Sequence, residues 1–76
     1  MQDFRTWYRS LNSLERAEYA RRAGVSRLYI EVHLLHRRKA PKRETMIRLA
    51  DASLGRIAYE ELLSFFYARP ADEKAA

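Results

Sequence analysis

Apolar side chains recur along this chain at intervals of three and four, with polar residues filling the gaps. Phe4, Trp7, Tyr8 and Leu11 stand at i, i+3, i+4 and i+7, one stripe of a helix that Asp3 is suited to cap. The run "NSLERAEYARRAG", residues 12–24, restarts with Asn12 or Ser13 as cap and Glu15 in the first turn, where an acid suits the helix dipole. Its inward face is expected at Leu14, Ala17, Ala20 and Tyr19, and Gly24 ends it. Ser26 then opens a third helix reaching Leu35 or His36. Pro41 blocks continuation and permits a new start, after which "RETMIRLADASLG" keeps Met46, Ile47, Leu49 and Ala50 in register as far as Gly55. A last helix carries Tyr59, Leu62, Leu63, Phe65 and Phe66 and stops before Pro70. The expectation is an all-α protein: a compact bundle of about five short helices, one domain over residues 1–69, with a frayed tail over 70–76.

Composition sharpens that picture. Seventy-six residues support one core and no second domain. Trp7, five tyrosines and three phenylalanines supply bulk that so short a chain would otherwise lack. There is no cysteine, so neither disulfides nor thiolate metal sites enter, and a reducing compartment fits. No apolar run approaches the ~18 residues of a membrane span, and the N-terminus lacks the order of a signal peptide. The cytoplasm is the expected location.

Charge is more informative by position than in total. The chain carries a net +5 and has a pI of about 10.0. The segment "HRRKAPKR", residues 36–43, holds Arg37, Arg38, Lys39, Lys42 and Arg43 and no acid, so it alone accounts for the excess. Such a local positive field suits a surface facing phosphates, although a short basic loop can equally be a solvated one.

A second pattern explains why one helix stops at Gly24 and another starts two residues later. Two helices meeting steeply across a short turn need a small residue in the first helix, a glycine at the turn and branched apolar residues behind it. Ala20, Gly24, Val25 and Ile30 fall at those places. Over residues 16–35 the spacing resembles the helix-turn-helix of DNA-binding proteins of the phage repressor and Cro-like superfamily. It departs at His33, where that family places a large apolar residue, so the far end of the third helix is expected to pack loosely or be rotated. Residues 24–62 as a whole are similar to short phage-type regulators related to Cro and to the YdaS-like antitoxins, with one residue inserted between Ile30 and Pro41. The resemblance implies a lambda-repressor-like fold, transcriptional repression, and binding of a two-fold operator on double-stranded DNA by a homodimer.

Given that fold, Ile30 points inward and the third helix presents Ser26, Arg27, Leu28, Glu31 and Val32 to base edges, with Leu35 as a further outward candidate. Arg27 suits a bidentate contact to guanine, Glu31 an acceptor role toward cytosine, and Leu28 or Val32 a thymine methyl. Two plainer readings stand beside these: Glu31 orienting Arg27 as an i, i+4 pair, and Leu28 as core. Arg27→Ala is then expected to flatten sequence preference. Phosphate contacts are expected from Arg16, Tyr29, His36, Arg37, Arg38, Lys39, Lys42 and Arg43, with Arg38→Ala weakening all duplexes alike. Phe65, Phe66 and Tyr67 are the candidates for a dimer interface.

Other chemistries find little support. No acid pair or nucleophile stands in a catalytic arrangement, no glycine-rich phosphate loop occurs, and His33 with His36 lacks a third metal ligand. No cofactor, small-molecule substrate or membrane partner is expected. Single-stranded RNA recognition calls for aromatics among the basic residues, and 36–43 has none. The main rival is an antitoxin or adaptor that acts through protein contacts of its last helix.

Overall fold

The computed structural model describes residues 3–67, and over that span every regular element is helical. The expected domain end at residue 69 and the tail at 70–76 lie outside the described residues. Helix α1 is Phe4–Arg9, α2 is Ser13–Ala23, α4 is Arg43–Ala52 and α5 is Tyr59–Tyr67. Between α2 and α4, helix α3 begins as the α-helical turn Arg27–Tyr29 and continues without a break as a π-helical turn, Ile30–Leu34.

The caps follow the sequence closely. The Asp3 carboxylate accepts from the Thr6 amide at 2.8 Å. Asn12, rather than Ser13, caps α2, in a reciprocal box with Glu15: each side chain accepts from the other's backbone amide at 2.8 Å. The Ser26 hydroxyl accepts from the Tyr29 amide at 2.9 Å. At the far end of α2, Gly24 has φ +75°. Its amide donates to Arg21 O and the Val25 amide reaches back to Ala20 O, both at 3.1 Å. These two bonds make a Schellman ending. Part of the Ala20, Gly24, Val25 spacing is therefore a local helix stop, in which Val25 folds back over the small Ala20.

The core is aromatic, as the composition led one to expect. Phe4 is fully buried, and its ring centroid lies 5.8 Å from both Phe65 and Phe66 and 6.2–6.4 Å from Trp7, Tyr8 and Tyr19. Tyr19 meets Trp7 edge-on at 4.9 Å, and its buried hydroxyl donates to Leu49 O at 2.8 Å, so the ring's one polar atom is satisfied. Ile30, Leu34, Met46, Leu49, Ile57 and Leu62 complete the interior. The α4–α5 turn is closed by the buried Ser53, whose hydroxyl donates to Ala50 O at 2.7 Å and accepts from the Ile57 amide at 3.0 Å.

Three expectations about facing fail, each for a geometric reason. Leu14 is 72% exposed and Ala17 is also outside. The inward stripe of α2 runs instead through positions 16, 19, 20 and 23, which puts Leu14 on the opposite side and Arg16 on the inner one. Leu35 is buried rather than outward, because the π turn needs one residue more per turn than an α turn. The Leu35 amide donates to Ile30 O at 2.9 Å, so Leu35 follows Ile30 by one wide turn and joins it in the interior. Phe65 and Phe66 are buried against Phe4 and are not free to form a dimer interface.

Candidate nucleic-acid interface

The outer side of α3 separates into apolar and ionic parts. Leu28 is 68% exposed and Val32 37%. One turn apart, they share a face, and the plainer reading of Leu28 as core does not hold. With Ser26, Tyr29 and His33 they line an open groove of about 240 Å³. Tyr29 and His33 are half-buried, with ring centroids 5.8 Å apart. The His33 Nδ1 atom is buried without a hydrogen-bond partner among the described residues, a cost traceable to a polar ring placed where an apolar one would fit.

The two charged residues of this helix turn elsewhere. Arg27 Nε donates to a Glu31 carboxylate oxygen at 2.7 Å, and Arg27 Nη1 donates to Ser13 Oγ at 2.9 Å. The same Glu31 oxygen accepts from the buried Tyr8 hydroxyl at 2.8 Å and lies 3.9 Å from Arg16 Nη1. Glu31 thus ties α3 to α1 and α2. The hydrogen bond from Arg27 outweighs partial burial and holds its carboxyl below the usual glutamate range, with Tyr8 and Arg16 acting in the same direction. Burial, and after it the negative partner Glu31, push the Tyr8 hydroxyl well above the usual tyrosine value. In this structure the pair orients itself mutually, through the Arg27–Glu31 hydrogen bond. Arg27 retains only Nη2 outside these bonds, too little for a bidentate guanine contact without rearrangement.

Arg16, expected on a phosphate, is also engaged. Its guanidinium stacks 5.1 Å from the Tyr8 ring centroid and donates to Leu11 O and Arg9 O, at the end of α1. This belongs to a wider pattern that charge counting missed. Arg22 donates through Nε and Nη2 to Ala52 O at the end of α4, Arg48 to Ala23 O at the end of α2, and Arg5 to Leu35 O just after α3. Each satisfies a terminal carbonyl that has no partner in its own helix. The only advance sign was that these arginines border apolar stripes.

The segment after α3 keeps its charges outside. His36, Arg37, Arg38, Lys39, Lys42 and Arg43 are all exposed, and Arg38, Lys39, Lys42 and Arg43 enter no salt bridge among the described residues. The Arg38 amide closes a second wide turn onto His33 O at 2.8 Å. Arg37 takes a left-handed conformation, φ +55°, and lays its guanidinium 4.1 Å from the Phe65 ring centroid, anchoring the basic segment to α5. At the other end of that anchor, the 45% exposed Tyr67 donates its hydroxyl to Pro41 O at 2.8 Å. Ser26, Leu28, Tyr29 and Val32 thus line one groove on α3, which the basic segment follows in the chain, whereas Arg16, Arg27 and Glu31 form a separate bridge.

Among the described residues no cluster of three or more His, Cys, Asp or Glu side chains could hold a metal ion, and no helix is long and apolar enough to cross a membrane. No family model, curated protein or solved structure matches this chain.

Proposed function

We propose that this protein binds double-stranded DNA as a small transcriptional regulator of the phage or plasmid repressor type, with α3 in the major groove. The observation that carries the reading is that α3, with an exposed face, is followed directly in the chain by an acid-free segment of exposed cations. A helix fits the major groove of B-DNA, and cations at its end reach the flanking phosphates. Arg38, Lys39, Lys42 and Arg43 hold the backbone without reading sequence, while α3 supplies the discrimination. The test is selection of bound duplexes from a random library at moderate salt, followed by titration of the selected duplex, a scrambled duplex and a single strand. A recurring motif, with the scrambled duplex much the weaker, is expected. Equal retention of all three ligands would reduce the segment to a general polyanion binder, and no retention even at about 50 mM salt would end the proposal.

A two-fold operator calls for a two-fold protein. With Phe65 and Phe66 in the core, the contact between copies falls to the exposed part of α5, Leu63 and Tyr67, which are 40% and 45% exposed. The same pair favours the second reading, an antitoxin or adaptor that meets a different protein there. Sedimentation with and without DNA separates them: a dimer supports the operator reading, and a strict monomer in both states favours the adaptor.

A further inference from the structure

Resting on the proposed DNA binding, the groove on α3 bears on which bases are read. We infer that it seats the C5-methyl groups of thymines, so that discrimination by α3 is apolar and does not depend on a charged side chain. Leu28 and Val32 project from the face that would meet the groove floor, and both are open to solvent. The two charged residues between and beside them, Arg27 and Glu31, are bound to each other, and Arg27 also to Ser13. Glu31 is further held by Tyr8 from the buried side. A bidentate contact from Arg27 to a guanine would require its guanidinium to leave Ser13 or Glu31.

In the major groove the thymine methyl is the apolar feature that marks one base, and it is the partner that leucine and valine fit. Ser26, at the mouth of the groove, uses its oxygen to accept from the Tyr29 amide and so keeps its hydroxyl proton for a neighbouring base or phosphate acceptor. Charge supplies the rest of the match. The exposed cations Arg38, Lys39, Lys42 and Arg43 attract any duplex, and the methyls decide where the protein rests. Operator sites should therefore carry thymines at fixed positions.

Deoxyuridine isolates the methyl, because it removes that group and leaves every hydrogen-bonding atom and phosphate in place. The experiment takes the selected duplex and measures binding by the full chain with thymine or deoxyuridine at each thymine position. Binding is expected to weaken about four-fold for each seated methyl, at the one or two positions facing the groove. Leu28→Ala and Val32→Ala should bring the thymine-to-uracil ratio at those positions to near one, and Arg27→Gln should leave the ratio as it is. Equal affinity for the thymine and deoxyuridine duplexes overturns the inference while duplex binding itself stands. So does a ratio that collapses with Arg27→Gln but not with Leu28→Ala. Failure to bind either duplex removes this inference together with the reading on which it rests. Leu28 is mostly exposed, so its truncation leaves the core intact, and far-ultraviolet circular dichroism of each variant confirms the helix content.

Discussion

Glu31 shows how one side chain can settle the orientation of a helix. Its carboxylate accepts from Tyr8 on α1 and Arg27 on its own helix, with Arg16 of α2 alongside. Removing it leaves the Tyr8 hydroxyl without a partner in the interior and two guanidiniums facing each other. Glu31→Ala is expected to cost about 1–3 kcal/mol, the range for orphaning buried polar groups, and Tyr8→Phe less, about 0.5–1.5 kcal/mol, since donor and demand disappear together. Combining the two should cost less than their sum, which urea unfolding of the four proteins in the cycle would measure. The sign with pH follows from the lowered pKa. Unfolding returns Glu31 to an ordinary value, about 4.3, so its contribution is complete above that pH. It disappears as pH falls through the lower folded value. The stability gap between the native protein and Glu31→Gln should thus be constant near neutrality and close below about pH 4.3. A gap that did not narrow at all as the pH was lowered from neutrality through the acid limb, while both proteins remained folded, would mean that Glu31 acts by packing alone.

The helices differ in how much of them could be read in advance, and the differences have local causes. Caps depend on a few consecutive residues, so Asp3, Asn12, Gly24 and Ser26 were legible. Gly24 allows a quantitative check. A Cβ added there would lie 3.6 Å from Arg48 Nε, an ordinary contact, so the cost of Gly24→Ala is conformational, about 1–2 kcal/mol for the left-handed backbone. Gly24→Asn should cost less, because asparagine tolerates that region better. For a domain of this size, 1 kcal/mol lowers the midpoint of thermal unfolding by roughly 4–8 °C. A stabilising Gly24→Ala would show that the turn relaxes out of the left-handed region. The facing of α3 was not legible past Ile30. Sequence periodicity assumes ~100° per residue, and the π turn breaks that assumption. A change of period cannot be read from the residues that undergo it. The wider π turn places Leu34 and Leu35 together in the interior.

At the scale of the molecule, two groups among the described basic residues do different work that a sum of charges cannot separate. Arg5, Arg16, Arg22 and Arg48 close the carbonyl ends of neighbouring helices, and Arg38, Lys39, Lys42 and Arg43 are exposed and enter no salt bridge among the described residues. The local charge excess at 36–43 was visible in the sequence. That several other arginines belong to the architecture was not, because their acceptors are backbone carbonyls, many of them 25 to 30 residues away. The two sets predict opposite phenotypes. Replacing Arg38, Lys39, Lys42 and Arg43 by glutamine should leave the unfolding midpoint nearly unchanged, since none of them enters a salt bridge among the described residues. Duplex affinity should fall on every sequence, and the slope of log K against log salt should flatten by close to one unit for each phosphate no longer neutralised. Replacing Arg22 and Arg48 by glutamine should do the reverse. Each change frees a helix-end carbonyl and lowers stability by about 0.5–2 kcal/mol, while the salt slope of the remaining folded protein stays within a fraction of a unit. Parallel thermal melts and salt titrations on the two multiple variants decide the matter. If removal of Arg22 and Arg48 flattened the salt slope as much as removal of the 38–43 cations, those arginines would be facing phosphates, and the division between architectural and DNA-facing charge would have to be redrawn.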